Sequence, residues 1–301
     1  MTTAADDERT AGLLAGLARS RATGAPWLAC AAGVHAVRQR LSSPGTDILL
    51  GYDAWPGRAG PTDLALLADL ALGASVRASL GLDRRLATVS MTVQLDDVLP
   101  DASQLRVGAP RTSSTGEELA LAGGNVLSAL GQVGGCSAAF VPQARGLAPM
   151  PWERPEGDHT APIAVSDLTA AERHAVENVR SAAAPGRSLV EAALLAAVTA
   201  SAGADVPAQL APTALLANRG GVVQGGVLLG FSIHAAQLAD SGPTELRTAH
   251  VEFVAPAGLG EVVTARCAVL RPGRRTRLLR VDLHQADRLV ATTTVLLRSA
   301  G

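Results

Sequence analysis

Residues 64–80 and 227–239 are apolar nearly all the way round at helical spacing, and each segment is followed by four strand-like stretches. A helix without a polar face has to be buried on every side. Behind the first come 87–95, 105–111, 118–128 and 136–141; behind the second come 250–254, 261–270, 277–284 and 289–298. Turns bearing Gly or Pro join them, as in Arg271-Pro272-Gly273-Arg274-Arg275. A curved antiparallel sheet wrapped around one central helix meets the burial requirement, and the chain carries that unit twice. The expected class is α+β, with one such unit in each half.

The halves are expected at 1–145 and 187–301, joined by a stretch at 146–186 that holds a Pro-rich linker and a connecting helix. The polar, Pro-rich run 142–162 reads as linker. Helices are expected at 166–181, with Ser166 and Asp167 able to cap its start, and at 188–202. A strand over 208–217 then leads into Asn218.

Composition closes off several function classes. The 301 residues are 48% apolar and 18% charged with a net charge of -1, which fits neither disorder nor a polybasic nucleic-acid surface. All 26 basic residues are Arg, so Schiff-base and P-loop lysine chemistry are excluded. Seven aromatic residues are too few for base-stacking platforms. Cys30, Cys136 and Cys267 are odd in number, far apart and without a zinc-ligand spacing, which points to a reducing, cytoplasmic location and no metal. Asp6, Asp7 and Glu8 give the opening the wrong charge for a targeting peptide. The uncharged run 220–239 contains five Gly, two Gln, Ser232 and His234, which reads as a buried helix rather than a membrane span.

The segment that can carry chemistry runs from Asn218 through Gln224-Gly225-Gly226, where a strand gives way to the second apolar helix. Unpaired N–H groups at a helix N-terminus favour negative charge, and glycines admit a ligand close to the backbone. A developing oxyanion would be held there, with Gln224 and Asn218 in reach; a Gly-rich turn serving only tight packing is the plainer alternative.

Taken with Phe253-Val254-Ala255-Pro256 and Leu289-Val290-Ala291-Thr292-Thr293-Thr294, this loop resembles the hotdog-fold acyl-CoA thioesterases of the phenylacetate-pathway (PaaI-like) type, over 208–298. Gln224 stands where those relatives most often carry His. The resemblance implies a tandem double hotdog, and a carboxylate nine residues beyond the His position. That place is Ile233 in the second half. In the first half the matching helix carries Asp69, but Gly60 and Pro61 occupy the loop position and Ala54 the Asn position. Pro61 offers no N–H. One half has kept the acid and the other the loop.

Because sites in this family lie across the subunit interface, the resemblance implies one composite site of Asp69, Asn218, Gln224 and Gly225, and a second, dead one facing Ile233 with Gly60. Ala65, Leu66, Leu72 and Gly73 surround Asp69 at helical spacing, so its carboxyl should be buried and its pKa raised. The implied activity is hydrolysis of an acyl-CoA or related thioester. Gly225 or Gly226 would hold the oxyanion, Asp69 would act as general base or nucleophile, and no cofactor is needed beyond the coenzyme A of the substrate. The acyl chain is expected in the seam between the two helices, and Arg271, Arg274 and Arg275 are candidates for the phosphates. The expected partner is the small-molecule substrate, with no nucleic acid and no membrane; the halves form a pseudo-dimer, and a further homodimer stays open. A non-catalytic acyl-binding protein and a hotdog hydratase or dehydratase are the rival classes; the latter needs a His and Asp near the helix start that neither half shows.

Overall fold

The computed structural model describes residues 4–42, 45–53, 57–96, 99, 104–110, 112–115, 118–143, 146–153, 160–161, 163–184, 186–200, 208–240 and 242–300. Ala54, the last two positions of the expected helix 188–202, and residues 154–159 of the linker lie outside them.

The first apolar segment forms the helix Pro61–Leu80. Its start follows from sequence: Pro61 sits at the first helical position, and the Asp63 carboxylate accepts the Gly60 N–H at 2.8 Å. Gly81, at φ 121°, ends it and donates its N–H to the Arg77 carbonyl. Residues from Thr62 to Arg77 are buried without a break. The second apolar segment forms Gly225–Ala239, and its apolar side chains from Val227 to Ile233 are buried as well.

What buries both helices is one continuous antiparallel sheet. Its strand order is His35–Ser42, Gly45–Asp53, Gln104–Pro110, Ala120–Ser128, Gly131–Pro142, Leu86–Leu95, Thr244–Phe253, Arg288–Ser299, Thr276–Gln285, Val263–Pro272, Ala208–Leu210 and Val198–Ala200. The halves meet edge to edge where Ser90 to Gln94 of one pair with Glu252 to Thr248 of the other. Thr92 Oγ1 and His250 Nδ1 lie 2.8 Å apart across that join. Each half thus removes the other's exposed inner edge. The chain is a tandem hotdog.

The two central helices cross in backbone contact. A β-carbon placed on Gly226 would lie 2.6 Å from the Ala65 carbonyl oxygen and 2.7 Å from Leu66 Cα; one on Gly230 would lie 2.8 Å from Thr62 Cγ2. Gly226 therefore meets the second turn of the first helix, and Gly230 meets its start. The helices run antiparallel where they touch, each through its N-terminal turns.

Several expectations need correction. Helix 166–181 begins later, as Ala170–Ala182, because Thr169 and not Ser166 or Asp167 caps it by accepting the Glu172 N–H. Helix 188–202 ends at Ala197 and continues as the strand Val198–Ala200; Ser188 caps its start. Strand 208–217 is short, Ala208–Leu210, and is followed by a 3-10 turn at Ala214–Leu216. Residues 146–153 are a packed strap rather than a loose linker. Leu147 N–H donates to the Asp83 carbonyl at 3.1 Å, Met150 and Trp152 are buried, and Glu153 joins Arg77. The sequence also left unread the helix Ala4–Thr23 and the strands His35–Ser42 and Gly45–Asp53.

Candidate active site

The strand-to-helix loop is built by its own polar groups. Asn218 Oδ1 accepts the N–H of Gly220 at 2.7 Å and of Val222 at 3.4 Å, which folds the loop back on itself. Val223 N–H donates to the Ala257 carbonyl and Gln224 N–H to the Leu216 carbonyl, fixing the entry to the helix. The Gln224 carbonyl then accepts Val227 and Leu228. Gly225 and Gly226 are left as the first two donors of the helix, the groups a helix cannot satisfy internally.

Asp69 arrives from the first helix to meet them. Its Oδ2 accepts the Gly226 N–H at 3.0 Å and Gln224 Nε2 at 3.4 Å, while its Oδ1 accepts the Thr88 hydroxyl at 3.0 Å. Among the described residues the Gly225 N–H has no acceptor. A β-carbon at Gly225 would stand 3.5 Å from Asp69 Oδ2, so glycine leaves the approach to the carboxylate open. Asp69 is 8% exposed. Burial raises its carboxyl pKa; the Gly226, Thr88 and Gln224 hydrogen bonds and the Arg77 charge oppose the rise without cancelling it.

Asp69, Gln224 and Gly225 thus converge as the sequence implied. Of the two glycines Gly226 donates to the carboxylate, which leaves Gly225 for the oxyanion, and Asn218 spends its carboxamide oxygen on the loop turn. No pattern in the sequence marks Thr88. It lies in the strand Leu86–Leu95 directly after the Asp69 helix, and only the register of that strand reveals that its hydroxyl faces the acid.

The carboxylate opens into a cleft of about 430 Å³ between the halves. Leu70, Gly73, Leu86, Phe140, Met150 and Leu228 supply apolar wall, and Arg84, Arg85 and Arg219 also line it. Arg85 is exposed and packs directly against Gly220. Arg271, Arg274 and Arg275 do not line this cleft. Thr276 pairs with Arg298, and Arg298 with Glu245, so their turn lies beside the start of the strand Thr244–Phe253. Phe253, at the cleft, is roughly 27 Å further along at about 3.4 Å per residue. At Gly226 the seam between the helices is closed by backbone contact, while the cleft is lined by Leu70 and Gly73 of one helix and Leu228 of the other.

The pseudo-equivalent place at the other helix N-terminus is closed. Asp63 Oδ2 accepts both the Gly60 N–H and the Ser188 hydroxyl, at 2.8 and 2.9 Å, so the chain's own carboxylate occupies that helix start. Ile233, 1% exposed, stands where an acid would be needed. His234 is partly buried, and burial lowers its pKa, as for a packed histidine. No group of His, Cys, Asp and Glu side chains suited to a metal occurs among the described residues. Among them, too, no helix is long and apolar enough to cross a membrane.

Residues 213–298 match the family model of the acyl-CoA thioesterase N-terminal domain. Solved structures resemble nearly the whole chain. A provisionally named oleoyl thioesterase from Lactobacillus plantarum is 13% identical, covering 87% of this chain and 100% of its own, with a TM-score of 0.55. The tesB protein of Mycobacterium avium subs paratuberculosis is 11% identical over 84% and 93%, at 0.52. A provisionally named thioesterase from Novosphingobium aromaticivorans is 17% identical over 88% and 98%, at 0.51. At such identities the likeness establishes the tandem hotdog fold. No curated protein matches the chain.

Proposed function

We propose that this chain hydrolyses an acyl-CoA or related acyl thioester at a single composite site between its halves. The observation that carries the reading is the carboxylate of Asp69 held against the N-terminus of the helix from the other half, beside the Gly225 N–H, which has no acceptor among the described residues. The family match over 213–298 supports the same chemistry, and the loop from Asn218 to Gly226 resembles that of the phenylacetate-pathway thioesterases, with Gln224 in place of their usual His.

In this reading the thioester carbonyl lies against the Gly225 N–H. That donor is fixed before the reaction and strengthens as the oxygen gains charge in the tetrahedral intermediate. Asp69, made more basic by burial, takes a proton from water as the water oxygen attacks the carbonyl carbon. The C–S bond then breaks, the acyl group leaves as the acid, and the sulfur takes the proton. Thr88, Gln224 and Gly226 hold the carboxylate in place; Oδ1, with one hydrogen bond, keeps a lone pair for the water. Direct attack by Asp69 on the carbonyl would use the same geometry. Asn218 is a positioning residue for the loop. The pantetheine arm leaves by the mouth of the cleft, where Arg85 and the neighbouring Arg84 and Arg219 meet the phosphates of the carrier in a cytoplasmic enzyme.

Release of free thiol from a panel of acyl-CoA and acyl-carrier thioesters tests the reading. Hydrolysis of at least one class is expected. Tight binding without thiol release across the panel would favour the acyl-binding alternative instead.

A further inference from the structure

Beyond Asp69 the cleft continues along one face of its helix, past Gly73 to Arg77, four and eight residues further on. Arg77 is 8% exposed, and it joins the strap through Nε and Nη2, each 2.7 Å from Glu153 Oε1. Nη1 makes no hydrogen bond among the described residues. Side chains on a helix lean toward its N-terminus, which brings this guanidinium back beside Gly73. A β-carbon at Gly73 would lie 3.6 Å from Nη1, 3.8 Å from Phe140 Cε1 and 4.0 Å from Leu86 Cδ1. Those are ordinary contact distances, so packing does not demand glycine there, although glycine weakens a helix interior. The result is a slot with apolar walls and one unspent donor at its end.

We infer that this slot receives the acyl group, and that the favoured acyl group carries a neutral oxygen acceptor, keto or hydroxyl, at about one helical turn, ~5 Å, from the thioester carbonyl. The inference rests on the thioesterase reading for the position of that carbonyl. A plain alkyl chain would strip Nη1 of water and give it no acceptor in return. A carboxylate tail would add a further negative charge where Glu153 already balances Arg77 and Asp69 lies one turn away. A keto or hydroxyl oxygen satisfies the donor without that repulsion.

Binding of stable CoA thioethers separates these cases, since it needs no turnover. The probes carry a pentyl chain, the same chain with an oxo or a hydroxyl group at its fourth carbon, or a chain of equal length ending in carboxylate. The wild-type protein is expected to bind the oxo or hydroxyl thioether at least about tenfold tighter than the pentyl one, and the carboxylate no tighter than the pentyl. Gly73→Val, which fills the slot, and the paired change Arg77→Met with Glu153→Met, which leaves no buried lone charge, should bring that ratio to about one. Equal wild-type affinity for the pentyl and oxygenated thioethers would overturn the inference, as would a ratio that survives both variants. Thiol release from the matching thioesters is measured in parallel. Hydrolysis without preference sinks the slot and leaves the thioesterase; preference without hydrolysis does the reverse.

Discussion

Asp69 and Gly226, 157 positions apart in the chain, are joined by a 3.0 Å hydrogen bond from the glycine amide to the carboxylate. That bond requires the helices to cross in backbone contact. Neither half contains the arrangement alone, and fusion of the halves in one chain fixes it.

Gly226→Ala should therefore damage both stability and activity. The added methyl meets the Ala65 carbonyl and Leu66 Cα, backbone atoms that cannot swing aside. Overpacking of this kind costs about 1–3 kcal/mol, readable in a urea titration, and the shifted amide loses Asp69. Unchanged stability would contradict the backbone contact between the helices.

The pH profile carries the sign of the Asp69 shift. A base works only when ionised, so activity should rise with pH through the raised carboxyl pKa, placing the acid limb above the ordinary carboxylate value of 3.8. The Thr88 hydrogen bond lowers that pKa, so Thr88→Val should move the limb to still higher pH and reduce kcat. For stability, a raised folded-state pKa contributes below the unfolded value and is lost as pH rises through the folded one. Asp69→Asn should accordingly melt higher than wild type at neutral pH. A limb that stays put in Thr88→Val would disconnect Thr88 from the acid.

Much of this arrangement is legible in the sequence, for physical reasons that also explain the gaps. The two helices without a polar face could only be buried, and strands following each of them left few folds to choose from. Asp69 stands out because an acid amid Ala65, Leu66, Leu72 and Gly73 has nowhere solvated to go. The strand His35–Ser42 escapes notice because, among the described residues, it pairs on one side only, and an edge position tolerates a sequence that holds Arg and Gln. Thr88 is set by strand register, which no local pattern encodes. The basic turn Arg271 to Arg275 misleads because charge in a sequence does not say which end of a 27 Å strand it occupies, roughly speaking. Arg77 is hidden for the opposite reason, since its partner Glu153 sits in a run that reads as linker.

Ile233→Asp should not create a second active site. The helix start it would face is already capped by Asp63, and Pro61 has no N–H to offer. The new carboxylate would be buried without a partner, costing on the order of several kcal/mol unless it stays protonated. Chemical denaturation should show the loss, and the specific activity of the folded fraction should be unchanged. A doubled turnover number would contradict the closed state of that site.

The most direct test of the composite site compares Asp69→Asn with wild type in two measurements on one acyl-CoA. Loss of the general base is expected to lower kcat by about two to four orders of magnitude, while the Kd of the matching CoA thioether changes little, because the cleft walls and the Gly225 amide are retained. Wild-type turnover in Asp69→Asn would contradict it and place the chemistry elsewhere in the chain.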